Sequence, residues 1–233
     1  MASRQLTLRI SQVLLVATLP TSADVYSVDD GSGESSLGML SGNSDTVWLN
    51  QFTSVSGMEM ITGLQIAFGA NSTSDPPADG SPVLAAIWSD PNNDGNPADA
   101  QLLNSVAGVV TNSHTDTFVS FPFSTPTTIP VGDNFFVGFQ HIETGGLGNY
   151  AVARDEGSDA GVTWIFANTS GTPLDLNNLG TAELGGTFTS FGFGGNALIR
   201  AVSSPVAAIP EPSSALPLLL CIATTMLARR RRR

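Results

Sequence analysis

The sequence has no lysine, one cysteine (Cys221), two histidines and two tyrosines, and charged residues make up only 12% of its 233 positions. Each shortage excludes something. Between residues 24 and 209 the only Lys or Arg cations are Arg154 and Arg200, so this long middle segment cannot neutralise a phosphate backbone and nucleic acid is excluded as its partner. Its 19 acids leave a net charge of −17, which also repels it from anionic lipid. A lone cysteine cannot staple a secreted fold, so the middle segment must rest on its own apolar core. Catalytic equipment is equally thin. His114 and His141 show no zinc-ligand spacing, and no Gly-x-Ser-x-Gly elbow is present to activate a serine. His114, in the polar turn 112–116, reads as solvated, and His141, ahead of a glycine loop, as a strand-edge residue. A sandwich-fold glycosidase needs two carboxylates across a cleft. The glutamates of this segment are Glu34, Glu59, Glu143, Glu156 and Glu183, and no two share a strand at alternating spacing. The segment is expected not to be an enzyme.

The two ends are basic and apolar. Residues 1–23 contain Arg4 and Arg9 without any acid, then the short apolar core 13–19, then Thr21-Ser22-Ala23 as small residues for cleavage. This order is that of a secretory signal peptide, read by the secretion machinery and signal peptidase. An amphipathic first helix is the alternative, opposed by Pro20 and the abrupt change to acidic composition. At the other end, a linker (203–209) leads to Pro210-Glu211-Pro212, the apolar run 215–228 and Arg229, Arg230, Arg231, Arg232 and Arg233. An apolar run closed by arginines reads as a membrane segment whose end stays cytoplasmic. Arg4 and Arg9 stay inside by the same rule, so the segment between is expected to be exported as a loop. The run is short for a lasting anchor, since roughly 20 residues span a bilayer, and it suits a transient hold in the inner membrane. Cys221 lies within it as an apolar filler or, alternatively, a lipidation site.

Pro210-Glu211-Pro212, the serine pair Ser213-Ser214, the short apolar helix and the arginine cluster resemble the PEP-CTERM sorting signal of Gram-negative bacteria. The resemblance covers about the last 24 residues. It implies recognition by a membrane-embedded exosortase, cleavage near Pro210, Glu211 and Pro212, and a role linked to exopolysaccharide and biofilm matrix. On this resemblance Pro210, Glu211, Pro212 and Arg229–Arg233 are recognised by another protein and are not catalytic. A plain single-pass tail anchor is the alternative.

The middle segment reads as all-β. All 24 glycines lie in it, and short β-branched or aromatic runs are separated by Gly, Asn, Asp and Pro. Strands are expected at 47–55, 63–68, 83–88, 105–110, 117–123, 134–140, 150–154, 162–167, 186–191 and 197–202. Trp48, Asn50 and Phe52 alternate with Val47, Leu49 and Gln51, and Phe135, Val137 and Phe139 with Phe136, Gly138 and Gln140. About ten such strands predict an antiparallel β-sandwich or jelly roll over residues 24–202, large enough to bury a core without disulfides. A helical turn is expected at 98–103, a long loop at 173–184 and poor order over the polar stretch 29–42. The pattern of tryptophan, Asp-Pro-Asn and phenylalanine strands also resembles uncharacterised sandwich domains of other PEP-CTERM proteins.

One local motif carries chemistry. Asp90, Asn92, Asp94 and Gly95 match the start of a calcium loop, D-x-[DN]-x-D-G, in which alternate oxygens converge and glycine permits the sharp turn. Asn96 and Asp99 follow, but the twelfth position is Gln101 where a bidentate acid is expected, and Asp99 can replace it only in a different loop geometry. A bare Asx/Pro hairpin turn between Trp88 and Leu102 is the alternative. The acids of 155–159 form a second, weaker cation candidate, whereas 75–80 reads as a turn. Trp48, Trp88, Trp164, Tyr26 and Tyr150 supply either a sugar-stacking platform or core. Arg154 is expected to pair with its neighbour Asp155. The reading is an exported, acidic β-sandwich at the outer surface or in the extracellular matrix, with a structural or adhesive role. A carbohydrate-binding module or divergent glycosidase is the alternative.

Overall fold

The computed structural model describes residues 23–39, 43–69, 79–142 and 151–205. The expected signal core, the 75–78 turn, Glu143, Tyr150 and the whole of 210–233 lie outside these residues. The described residues form thirteen strands: β1 (Asp24–Tyr26), β2 (Ser35–Leu37), β3 (Asp45–Thr53), β4 (Met60–Ile66), β5 (Pro82–Ser89), β6 (Gln101–Val109), β7 (Val119–Thr128), β8 (Asn134–Ile142), β9 (Val152–Asp155), β10 (Thr163–Asn168), β11 (Leu184–Thr187), β12 (Asn196–Ala197) and β13 (Ile199–Ser204). All pairings are antiparallel. A six-stranded sheet runs β11-β10-β3-β8-β5-β6, a four-stranded sheet β1-β13-β4-β7 and a three-stranded sheet β12-β9-β2. The described chain is thus an all-β, sandwich-like domain. Among the described residues no helix is long and apolar enough to cross a membrane.

The period of two along each strand decides which side chains meet. Trp48 and Phe52 of β3, Phe135, Val137 and Phe139 of β8, and Ile87 of β5 point inward to Leu64, Ile66, Phe121 and Ile199 of the four-stranded sheet. Phe68 meets Phe139 edge-on at 5.3 Å between ring centres, and Tyr26 meets Phe135 likewise at 5.2 Å. The other face of the six-stranded sheet is also buried. Val47, Leu49, Ala86, Trp88, Phe136 and Phe166 form a second cluster there, closed by Leu174 and Leu179 of the segment 172–183. It overlaps the long loop expected at 173–184, whose last residue, Leu184, already belongs to β11, and it is broken only by the 3-10 turn Leu179–Thr181. It is a cover as well as a connection. The Asp45 carboxylate accepts the Leu174 N–H at 2.7 Å, Trp88 Nε1 donates to the Leu176 carbonyl at 2.8 Å, and Asn168 Nδ2 donates to the Thr172 carbonyl at 3.0 Å.

Several expectations need correction. The stretch 29–39 is ordered, because Asp29 pairs with Arg200, the Asp30 N–H binds Asp155 at 3.1 Å, and β2 pairs with β9. The expected helical turn at 98–103 is a 3-10 turn over Pro97–Asp99 followed at once by β6, because Gln101 onward pairs with β5. Only the start of 186–191 is strand, since Thr189–Phe191 turns as 3-10. His141 is not an edge residue: β8 lies between β3 and β5, where His141 pairs with Thr46 and Val83 and is 3% exposed. Gly138 on the same strand is obligatory. A Cβ there would stand 2.0 Å from the Trp48 carbonyl oxygen.

Candidate metal centre

The β5–β6 hairpin closes through residues 90–100, which is the hairpin connection the sequence suggested between Trp88 and Leu102. Asp90 leaves β5 with its N–H on the Asn134 carbonyl, and Asn93 is held by donating to the Gly132 carbonyl and accepting the Asn134 N–H at 2.7 Å. Asn93 (φ 58°) and Gly95 (φ 79°) take left-handed conformations, which let the chain reverse within a few residues. Asn96 then caps the 3-10 turn, accepting the Ala98 N–H at 3.1 Å, with Pro97 as its first residue.

This path gathers three of the five residues singled out in the sequence. Asp90, Asp94 and Asp99 each bring a carboxylate oxygen within 4.8 Å of the other two. Asp99 reaches the group because the 3-10 turn shortens the path from Gly95, the different geometry that its position two residues early requires. Asn92 and Asn96 brace the turn: Asn92 Oδ1 accepts the Asp94 N–H at 3.0 Å, and Asp94 Oδ1 accepts the Asn96 N–H at 2.8 Å. Asp90 differs from its partners in burial. It is 6% exposed, whereas Asp94 and Asp99 are exposed. Its Oδ2 accepts the Gly95 N–H at 2.7 Å, while its Oδ1 is fully buried without a hydrogen-bond donor. The donor set is all oxygen, the chemistry of hard divalent cations.

A second acidic group, Asp30, Glu34 and Asp155, meets the same distance limit. Of the acids in 155–159, only Asp155 takes part. Buried Asp155 is already satisfied, accepting from the N–H groups of Asp30 and Gly157 and from the Ser158 hydroxyl at 3.1, 2.7 and 3.0 Å. Glu156 is the ion-pair partner of Arg154, in place of the expected Asp155. Alternation along β9 sends adjacent side chains to opposite faces, which separates Arg154 from Asp155. The Ser35 hydroxyl, and then Arg154, hold the Glu156 carboxyl below its ordinary range. Hydrogen bonds around Ser170 and Thr169 do the same for Glu183. A glycosidase acid needs the opposite shift.

Trp48, Trp88 and Tyr26 are core residues, and Trp164 is partly buried and stacked on Phe166 at 6.5 Å. His114 sits half-buried in its turn at φ 66°. Sequence reasoning missed an apolar recess lined by Leu37, Met39, Trp48, Phe188, Phe191 and Phe193, with Phe191 and Phe193 exposed. The cluster of Phe188, Phe191 and Phe193 was its only sequence signal. No protein-family model matches the chain, and no curated protein matches it.

Proposed function

We propose that the protein is an exported, exosortase-processed component of the cell surface or extracellular matrix, with a structural or adhesive role alongside exopolysaccharide. The carrying observation is the order of Pro210-Glu211-Pro212, an apolar run and five arginines after an acidic body that has only Arg154 and Arg200 as cations. Signal peptidase removes 1–23, the run 215–228 holds the inner membrane in transit, and exosortase cuts near Pro210–Pro212. The geometry of the body supports this reading. β1 begins at Asp24, immediately after the expected signal cleavage, and pairs with β13 so that Asp24 lies opposite Ser203. Asp24 and Ser203 therefore lie side by side at one end of the four-stranded sheet.

The intact mass of the protein recovered outside the cell tests the proposal. A product beginning near Asp24 and ending near Pro210–Pro212 is expected. A product retaining Arg229–Arg233 would instead make the chain a tail-anchored surface protein.

A further inference from the structure

We infer that the β5–β6 loop is a calcium site, with Asp90, Asp94 and Asp99 as carboxylate ligands. The inference is independent of the sorting signal. Three carboxylates within 4.8 Å of one another repel, and no protein cation offsets them. Arg154 and Arg200, the only arginines among the described residues, are engaged by Glu156 and Asp29. An acidic cluster at a surface can leave its charge to water. The decisive observation is therefore the buried one. Asp90 is more than nine-tenths buried, its Oδ2 is taken by the Gly95 N–H, and its Oδ1 is shut away from both water and any donor. A buried carboxylate oxygen without a partner keeps its desolvation cost uncompensated. A divalent ion among the three carboxylates supplies the missing partner and the missing charge together.

Calcium fits better than its competitors. The set contains no sulfur or imidazole, which disfavours zinc and copper. Asp94 and Asp99 are exposed, leaving room for water to complete six to eight oxygen ligands in irregular geometry, whereas magnesium demands a near-ideal octahedron. The site also has a structural reach. The turn Pro97–Asp99 lies against the covering segment, where a Cβ on Gly180 would stand 2.8 Å from the Ala98 carbonyl. Ion binding at Asp99 thus steadies the turn on which the cover of the second core rests.

The test uses the full chain in detergent, stripped with a chelator and titrated with calcium chloride by calorimetry. One ion per chain is expected, with a Kd of about 10⁻⁴ to 10⁻³ M. At about 10 mM calcium the thermal midpoint rises by roughly 4 °C. Asp94→Asn and Asp99→Asn, both at exposed positions, weaken binding at least about tenfold without lowering the calcium-free midpoint. Glu34→Gln, in the second acidic group, leaves binding unchanged. No uptake at about 10 mM, unchanged binding in both Asp variants, or equal affinity for magnesium would each overturn the inference.

Discussion

Asn50 lies fully buried on the inner face of β3, between Trp48 and Phe52. Its Nδ2 donates to the Ala197 and Ile199 carbonyls, both at 2.9 Å, and its Oδ1 accepts the Thr163 hydroxyl at 2.6 Å. Thr163 Oγ1 in turn accepts the Ala197 N–H at 3.2 Å. One side chain thus ties the six-stranded sheet to β12 and β13 and satisfies backbone groups at the switch between those strands. Removing it leaves two buried carbonyls without that donor. Asn50→Ala is expected to lower stability by about 3 kcal/mol, read as a reduced urea midpoint with an unchanged slope. A midpoint shift equivalent to less than about 1 kcal/mol would mean that water replaces the amide. The alternation along β3 placed Asn50 on the core face. That it bridges three distant backbone and side-chain groups in the core was not legible, because its partners lie more than 110 positions away.

At the scale of elements, the segment 172–183 makes the six-stranded sheet a buried layer on both faces. Leu174 and Leu179 supply its apolar contacts, and hydrogen bonds from Trp88, Asn168 and the Leu174 N–H pin it down. Trp88→Phe removes the Nε1 donor to Leu176 together with part of the buried indole ring. The lost donor and the small cavity are together expected to cost about 2–3 kcal/mol globally, while exposing 172–183 to limited proteolysis well before the sheets open. Leu179→Ala, which removes buried methyl groups, is expected to cost about 2–4 kcal/mol, measured in the same unfolding assay. Cleavage starting elsewhere in both variants would contradict the role of 172–183 as a cover.

At the scale of the whole molecule, stability depends on pH through two buried groups of opposite sign. Burial holds the His141 imidazole below its ordinary value of 6.5, so the unfolded chain takes up a proton there before the folded one does. Stability from His141 is full above pH 6.5 and is lost as pH falls from 6.5 through the lowered folded value. Asp45 behaves oppositely. Burial raises its carboxyl above 3.8 despite hydrogen bonds from Leu174 and Gln140, so its contribution is full below 3.8 and fades as pH rises through the raised value. Acidification from about pH 7.5 to 5.5 is therefore expected to lower the unfolding free energy, with His141→Gln flattening that slope. An equally steep slope in the variant would place the titration elsewhere. The surplus of acids adds general repulsion, which salt relieves without changing the sign of either effect.

The order of residues along the chain determined by itself what depends on neighbours two or four positions apart. The strand alternation of β3 and β8, the hairpin turn after Trp88, the left-handed position filled by Gly95 and the acidic surplus are all local or additive, so they were legible without coordinates. The five candidate ligands share one local motif, yet only contact could divide them into three converging carboxylates and two amides bracing the turn. Tertiary structure decided the rest. It ordered 29–39 through Arg200 and Asp155, put His141 inside a sheet, and folded 172–183 over Trp88 across 88 positions. Burial and long-range pairing belong to the assembled surfaces, and a sequence pattern with a period of two residues cannot say which surfaces will meet.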